Sequence, residues 1–260
     1  MVETVQLHYV ERGKGRPVVL LHGFALDHTI WEAQIQALSE AGWRVIAPDL
    51  RGHGQSPIWG GVYAMEALAA DVAALLETLG VDRAVWVGHS MGGYVTMAAL
   101  RAVPEWVEGA ALVATHPFAD SPEKREEREL AAQRVWAEGV QSLADEMLEV
   151  LFAPETPPDA PYVQQVAAVM ARANPQGVAA ALRGMAERPS SVTTLLDARV
   201  PMVMVAGAKD QLIPRDVLRR VADQLPPLPI RKIAQAGHMP MVEAPEETSE
   251  ALVTFLQTLP

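Results

Sequence analysis

The feature that most limits the fold of this chain is a regular alternation of short apolar runs with helical patterns. The apolar runs are typical of buried strands, and the segments after them carry apolar residues at helical spacing. Strands that alternate with helices in this way predict a parallel sheet with helices on both faces. The predicted strands lie at residues 3–11, 16–24, 43–50, 83–88, 107–114, 200–207 and 229–234. The predicted helices lie at 30–42, 65–80, 91–103, 214–225 and 244–259.

One long stretch, 119–190, interrupts this alternation and contains no convincing strand. It carries about four helical patterns instead. Ser121 before a proline and Asn174 before a proline are typical signals for the start of a helix. We therefore expect a helical lid inserted between two strands, over the edge of the sheet. The predicted division is a core of 1–118 and 191–260 with a lid of 119–190.

Composition limits the partners that the 260-residue chain is expected to have. A net charge of -11 without a basic cluster argues against nucleic acid, because binding to phosphates needs a basic patch. The chain has no cysteine, so disulfides, thiolate metal sites and a cysteine nucleophile are excluded. No signal peptide is recognisable, and the apolar stretches are too short to cross a bilayer. We expect a soluble, cytoplasmic protein with no membrane partner, either a monomer or a homodimer.

The strand at 83–88 runs directly into Gly88-His89-Ser90-Met91-Gly92, and a helix begins at once. A Gly-x-Ser-x-Gly sequence between a strand and a helix is typical of a turn that exposes a nucleophilic serine. The two glycines allow a sharp turn where larger side chains would clash. The carboxyl ends of the strands, where open α/β sheets bind ligands, lie beside such a turn. Ser90 is therefore the predicted nucleophile.

A serine hydroxyl needs a base and an orienting acid to act as a nucleophile. His238 follows the last strand in a Gly-flanked loop and is the predicted base, with His116 as a lesser competitor. Asp210 follows another strand and is the predicted acid, although it could instead cap the next helix. Asp120 is a less well placed alternative. The chain order Ser90, Asp210, His238 is one that hydrolases use.

The same chemistry needs two hydrogen-bond donors for the oxyanion of the tetrahedral intermediate. One predicted donor is the backbone N–H of Met91, the residue after the serine. The other is the N–H of Phe24, because Gly23 at the end of an earlier strand lets the chain turn close to the site. The inner face of the lid should set the acyl size. Its candidate residues are Trp136, Met147, Leu148, Phe152, Met170 and Met185.

Five segments occur in an order and at a spacing that identify a family resemblance. They are "LLHGFALDHTIWEAQ", "VIAPDLRGHGQS", "VGHSMGGYV", "AGAKDQLIP" and "AGHMPMVEAPEE". On these segments the chain resembles the α/β-hydrolase superfamily, and small bacterial carboxylesterases within it. The resemblance implies a mostly parallel sheet with a helical cap between the sixth and seventh core strands. It also implies a triad of Ser90, Asp210 and His238, with Phe24 and Met91 as the oxyanion hole. The short N-terminus leaves room for seven or eight strands.

Position 90 separates the members of this superfamily. Epoxide hydrolases and haloalkane dehalogenases carry Asp there, whereas Ser90 would form an acyl-enzyme. The sequence therefore predicts a serine carboxylesterase for small, short-chain esters, with no metal and no organic cofactor. The alternatives are a lactonase or enol-lactonase, a carbon–carbon bond hydrolase, and perhydrolysis as a side reaction. A non-catalytic ligand-binding module is the alternative from another class, and it predicts a degraded triad.

Overall fold

The computed structural model describes residues 3–225 and 228–260. In this part of the chain one sheet has seven strands in the order β1-β3-β2-β4-β5-β6-β7. Only β1 is antiparallel, through its pairing with β3. The mostly parallel sheet of seven or eight strands is therefore confirmed, with seven. The strands are β1 (Tyr9–Arg12), β2 (Pro17–Leu21), β3 (Arg44–Pro48), β4 (Ala84–His89), β5 (Val107–Val113), β6 (Met202–Gly207) and β7 (Ile230–Ile233).

Helices cover both faces of this sheet. Helix α1 packs against α11, whereas α2 and α8 pack against α3. None of the described helices combines the length and the apolar character that a membrane span requires. The helices are α1 (Glu32–Glu40), α2 (Met65–Thr78), α3 (Met91–Ala102), α4 (Pro122–Glu138), α5 (Gln141–Leu151), α6 (Pro161–Ala171), α7 (Pro175–Glu187), α8 (Val192–Asp197), α9 (Arg215–Gln224), α10 (Pro240–Glu243) and α11 (Pro245–Gln257).

The central strands are buried along nearly their whole length, as their sequences suggest. All six residues of β4 are buried, because helices cover a parallel sheet on both sides. The first strand is shorter than the predicted 3–11, since only Tyr9–Arg12 pairs with β3. Helices α8 and α10 were not predicted. They span six and four residues, too few for a 3.6-residue period to show in the sequence.

Helices α4 to α7, here called the four-helix segment, lie between β5 and β6 in the chain. The side chains of Ser121 and Asn174 accept backbone N–H groups at the starts of α4 and α7, as expected for N-caps. Within the segment, α4 packs on α7 and α5 packs on α6. The division into a core and a lid with the boundaries given above stays a prediction.

The four-helix segment touches the backbone of the rest of the chain at α7. The N–H of Tyr63 donates to Ala180 O at 3.1 Å. A Cβ added at Gly184 would lie only 1.7 Å from Tyr63 O, so no larger residue fits there without a shift of the helix. This contact fixes α7 against the loop that precedes α2.

A buried ion pair fixes the start of the chain and the loop after β3 on α2. Arg51 donates from Nε and Nη2 to the two carboxylate oxygens of Asp71, at 2.8 and 2.7 Å. Asp71 is fully buried and also accepts the N–H of Val5 at 2.9 Å, while Arg51 donates to Glu3 O at 2.9 Å. Because both charges are buried, removal of either partner leaves the other without compensation.

We expect Asp71→Ala to lower the free energy of unfolding by about 3–5 kcal/mol, because it leaves the Arg51 charge buried and unpaired. Urea denaturation at neutral pH measures the loss. Asp82→Ala is the control, since Asp82 is an exposed aspartate beyond α2, and its effect should stay within about 0.5 kcal/mol. Equal stabilities for the two variants would contradict the role assigned to the pair.

Candidate active site

Ser90 lies alone between the last residue of β4 and the first residue of α3. Its backbone has φ 49° and ψ −110°, a conformation that residues with a side chain rarely adopt. Two hydrogen bonds hold it there: Ser90 N donates to Val113 O, and Thr115 Oγ1 donates to Ser90 O, each at 2.9 Å. The turn therefore exposes the serine at the carboxyl end of β4, as predicted.

The glycines beside Ser90 leave no room for a side chain, as expected, but they are not the residues with the unusual backbone. The left-handed φ belongs to Ser90 itself and not to Gly88 or Gly92. A Cβ at Gly92 would lie 2.4 Å from Leu21 O and 2.7 Å from His22 O, and one at Gly88 would lie 2.2 Å from Gly92 O. These glycines allow the start of α3 to pack directly on the backbone at the end of β2.

His238 and Asp210 come together at the carboxyl ends of β6 and β7. His238 Nδ1 lies 2.8 Å from Asp210 Oδ2, and both side chains are buried. Asp210 Oδ1 accepts the N–H groups of Leu212 and Ile213 at 2.8 and 2.9 Å. Asp210 thus orients the histidine and caps the following turn at the same time, which combines the two roles considered from the sequence.

The surroundings of Asp210 favour its charged form. Burial raises the pKa of this carboxyl, but the His238 ring and the backbone N–H donors outweigh burial and hold the pKa below its usual value. An ionised Asp210 accepts the Nδ1 proton of His238. The Nε2 atom is then free to accept a proton from another group.

Ser90 and His238 line one cavity of about 650 Å³. Within residues 3–225 and 228–260, Ser90 Oγ and His238 Nε2 are not hydrogen-bonded to each other. Both residues nevertheless line the same cavity. Proton transfer needs that hydrogen bond, and catalytic contacts often tighten only when substrate is bound. The four-helix segment supplies much of the opposite wall, including Met147 and Met185. Of the other lid residues proposed from the sequence, Leu148, Phe152 and Met170 do not line the cavity, and Trp136 is 62% exposed.

Two side chains that were not predicted from the sequence, the buried His89 and the half-buried Glu243, hold the His238 loop in place. His89 Nε2 donates to His238 O at 2.9 Å. Glu243 accepts the N–H groups of Gly237 at 2.9 Å and Met239 at 3.1 Å, on either side of His238. Burial raises the pKa of the Glu243 carboxyl above its usual value despite these donors. The only sequence signal for Glu243 is its place five residues after the histidine.

The four-helix segment joins the same loop directly. His238 N donates to Leu151 O at 2.9 Å, where α5 ends. Two residues later, Ala153 N donates to Glu243 Oε1 at 2.7 Å. The position of the histidine thus depends on the chain that follows α5 as well as on Asp210.

The two predicted oxyanion donors are the backbone N–H groups of Phe24 and Met91. Within the described part of the chain, neither Phe24 N nor Met91 N donates to a protein acceptor. The turn after Phe24 is made by Ala25, with φ 56°, and not by Gly23. Gly23 is needed for a different reason: a Cβ there would lie 2.5 Å from His89 Nδ1. The roles of Phe24 and Met91 stay proposals.

The sequence alternatives for base and acid are used elsewhere. His116 Nδ1 accepts the N–H of Phe118 at 3.2 Å, and its Nε2 is 3.3 Å from Tyr94 Oη. Burial, aided by the Arg188 charge, lowers the pKa of His116 to about 4. Asp120 forms one ion pair with Arg188, which follows α7, and another with an arginine of α4. Neither residue forms a Ser–His–acid arrangement with Ser90 in the described structure.

A second His–Asp cluster lies beside the loop that follows Phe24. Asp49 is fully buried, and its oxygens face His8 Nδ1 at 2.9 Å and His28 Nδ1 at 2.7 Å. These three side chains are close enough together to ligate a metal ion. Asp49 also accepts the backbone N–H groups of His28 and Gln55, each at 2.9 Å. These hydrogen bonds satisfy the buried Asp49 and hold the chain after Phe24 against the end of β3.

Comparison with known families agrees with this architecture. A family model described as "alpha/beta hydrolase fold" matches residues 16–164. The chain belongs to the α/β-hydrolase family. The family resemblance and the fold class inferred from the sequence motifs are both confirmed.

Three relatives of this hydrolase illustrate the range of its likeness. A thermophilic esterase from Thermogutta terrifontis, solved with malate bound, is 38% identical with a TM-score of 0.93, covering 97% of this chain and 93% of that one. The enol-lactonase from Burkholderia xenovorans LB400 is 27% identical with a TM-score of 0.85, covering 96% of each chain. The bifunctional epoxide hydrolase 2 of Sus scrofa is 40% identical over 119 residues, which are 45% of this chain. That alignment spans 21% of the length of the Sus scrofa protein.

The backbone contact at Gly92 leads to a prediction about the elbow. Gly92→Ala should lower kcat/KM for a nitrophenyl ester by about tenfold or more, since the new Cβ meets backbone that cannot rotate away. Steady-state assays and urea denaturation on the purified variant measure the effect. Gly60→Ala, where a Cβ meets nothing within 4 Å, is the matched control and should keep wild-type activity. Wild-type activity in Gly92→Ala would rule out the tight packing described here.

The His28–Asp49 pair leads to a pH-dependent prediction. The hydrogen bond to Asp49 raises the pKa of His28, so its stabilisation is full below the unfolded pKa of about 6.5 and is lost as pH rises through the folded pKa. Hydrogen bonds from His28 and Gln55 outweigh burial and lower the pKa of Asp49, which stays ionised at pH 5.5.

The stability lost in His28→Gln should therefore be larger at about pH 5.5 than at about pH 9. Urea denaturation of wild type and variant at both pH values measures it. The same comparison in an Asp49→Asn background is the control, because without the carboxylate the larger loss at the lower pH should disappear. A larger loss at the higher pH would contradict the assigned pairing.

Proposed function

We propose that this chain is a serine carboxylesterase that hydrolyses short-chain carboxylic esters through an acyl-enzyme on Ser90. The observation that carries the proposal is the buried Asp210–His238 hydrogen bond at the edge of the cavity that Ser90 also lines. A serine, a histidine and an ionised carboxylate in this order are the parts that acyl transfer requires. A small ester is the proposed partner.

In the first half of the reaction, His238 Nε2 accepts the proton of Ser90 as Oγ attacks the ester carbonyl. Asp210 keeps Nδ1 protonated and stabilises the imidazolium that forms. The N–H groups of Phe24 and Met91 bind the oxyanion of the tetrahedral intermediate. One such donor is typically worth about 2.7–4 kcal/mol of activation free energy. His238 then gives its proton to the leaving alcohol, and the acyl group stays on Ser90.

In the second half, water takes the place of the alcohol. His238 accepts a proton from the water as it attacks the acyl-enzyme, and the same oxyanion donors bind the second tetrahedral intermediate. Collapse of this intermediate returns the proton to Ser90 Oγ and releases the carboxylic acid. The two halves need the same groups in the same places, so one fixed geometry serves both.

The likeness to solved enzymes supports ester chemistry and leaves a second candidate. The Thermogutta terrifontis protein is an esterase, and the Burkholderia xenovorans protein is an enol-lactonase. A lactone is a cyclic ester, so the same Ser90 mechanism would open it, and lactone hydrolysis is the second candidate function. The epoxide hydrolase likeness covers less than half of the chain. Ser90 stands where that class of enzyme carries an Asp nucleophile, which makes epoxide hydrolysis a poorer fit.

Ser90→Ala should lower kcat for nitrophenyl butyrate by more than about 10⁴-fold, because the acyl-enzyme can no longer form. It should also abolish covalent labelling by an organophosphate, read by intact-protein mass spectrometry. Ser142→Ala, an exposed serine on α5, is the matched control and should keep both properties. Turnover that survives in Ser90→Ala would exclude the proposed mechanism.

The same purified protein separates the two candidate functions. Values of kcat/KM for acetyl, butyryl and octanoyl esters should fall at the longest chain if short acyl groups are preferred. A γ- or δ-lactone should be opened more slowly than the butyryl ester. The reverse order of lactone and ester would favour the lactonase alternative.

A further inference from the structure

The cavity at Ser90 has two walls of different chemistry. One wall is apolar and comes from α5 and from the turn after Asp210. The other is polar and comes from α3, the chain after β5, and α4. The apolar wall contains Leu143, Met147, Leu151, Leu212 and Ile213. The polar wall contains Tyr94, His116, Asp120 and Arg128, and the apolar Leu130 and Ala131 of α4 also line the cavity.

Hydrogen bonds decide which wall faces which half of an ester. The apolar wall adjoins the base, since Leu151 O accepts His238 N–H and Ile213 N–H donates to Asp210. The polar wall adjoins the nucleophile, because Tyr94 follows it by one helical turn and donates its N–H to Ser90 O at 3.2 Å. The leaving alcohol must lie near the histidine that protonates it. The acyl group is therefore directed along the polar wall.

Tyr94 has a free hydrogen-bond donor at the start of that wall. His116 Nδ1 accepts the Phe118 N–H, so the ring proton is on Nε2 and is donated to Tyr94 Oη. The lowered pKa of about 4 keeps His116 neutral at physiological pH. With its oxygen already accepting, the Tyr94 hydroxyl proton is available to a ligand in the cavity.

Counted together with Arg188, which lies behind the wall and does not line the cavity, the polar wall has one more positive charge than negative charges. Asp120 Oδ2 accepts Arg128 Nε at 2.6 Å, and Asp120 Oδ1 accepts Arg188 Nη2 at 2.8 Å. One carboxylate thus faces two guanidinium groups. Arg188 is 5% exposed and lies over the Tyr94 ring at 3.8 Å. A charge this far from water is weakly screened.

Of these two arginines, Arg128 lines the cavity. Its Nη1 contacts Met185 Sδ at 3.6 Å, and its Nη2 has no protein partner in the described residues. The other cations at the cavity, Lys124 and Arg134, each pair with a glutamate on the exposed rim. Arg134 Nε also lacks a partner, but that atom is buried, so Arg128 is a cation of the polar wall with a donor to spare for a ligand.

We infer that the polar wall binds a carboxylate at the far end of the acyl group. This inference rests on the proposed function. The substrates it predicts are half-esters of dicarboxylic acids with an apolar alcohol. Tyr94 Oη–H and Arg128 Nη2–H donate to the free carboxylate, while the alcohol lies against Leu151 and Ile213.

The test compares substrates that differ only in the terminal carboxylate. Monobutyl succinate, glutarate and adipate are paired with butyl butyrate, pentanoate and hexanoate, and acid release is followed in a pH-stat near neutral pH. At one or more chain lengths the half-ester should have a kcat/KM about tenfold or more above that of its neutral partner, the range of a charge-assisted hydrogen bond. Added salt should reduce this ratio less than it reduces binding at an exposed site.

Variants test whether Arg128 causes the higher kcat/KM of half-esters over neutral esters. Arg128→Met should bring the half-ester to neutral-ester ratio close to one, and Arg128→Lys, which keeps the charge, should restore part of it. Arg183→Met is the matched control: Arg183 lies on α7, pairs with Glu129 outside the cavity, and its loss should leave the ratio unchanged. A ratio that falls equally in Arg183→Met would show a general effect of net charge and overturn the assignment.

Outcomes for the wild type separate this inference from the proposed function. If neutral esters are hydrolysed and half-esters show no advantage at any length, the carboxylate site is wrong and the esterase proposal stands. If neither class is hydrolysed, or if Ser90→Ala still hydrolyses both, the esterase proposal fails. Competitive inhibition by free glutarate on wild-type protein, absent in Arg128→Met, would support the site independently of turnover.

Discussion

The packing of backbone against backbone at the start of α3 is the constraint on which the site depends. Gly92 allows that helix to touch the end of β2, and this contact leaves Ser90 in a left-handed conformation between two elements that cannot move apart. Ser90 N donates a hydrogen bond to Val113 O of β5, and Thr115 Oγ1 donates one to Ser90 O. Together these two bonds hold the strained backbone of Ser90. The serine is exposed because the sheet and the helix determine its backbone, so its position costs conformational strain that the surrounding fold compensates.

Much of this arrangement could be predicted from the sequence because it is encoded locally. Strand and helix periodicity predicted the parallel sheet. The sequence also pointed to Asp210 and His238, which lie 2.8 Å apart, while the triad with Ser90 stays a prediction. The supports of the His238 loop could not be found in the same way. His89 and Glu243 act by hydrogen bonds to backbone atoms, and such contacts have no residue pattern of their own. The reason for Gly23 was also invisible, since it depends on a ring that is distant in sequence.

The polar network of the cavity shows a similar limit. Asp120 and His116 stood out in the sequence as chemically capable residues near strand ends, and they were weighed as alternatives for the triad. The structure gives their polar atoms other partners, which are Arg128 on α4, Tyr94 on α3 and Arg188 just after α7. The packing of the whole fold sets the positions of these partners. The chain is acidic by composition, yet two guanidinium groups share a single carboxylate at the polar wall of the cavity. Local electrostatics are decided by pairing and burial rather than by net charge.

The join between α5 and the His238 loop has a consequence for how this scaffold could vary. Leu151 O and Ala153 N are backbone groups. Their hydrogen bonds to His238 N and to Glu243 therefore survive almost any change of side chain at positions 151 and 153. A shift in chain length between α5 and α6 would break them, whereas new side chains on the inner faces of α4 and α5 would reshape the cavity and leave the histidine in place. The scaffold separates what is recognised from what reacts, and redesign of one need not disturb the other.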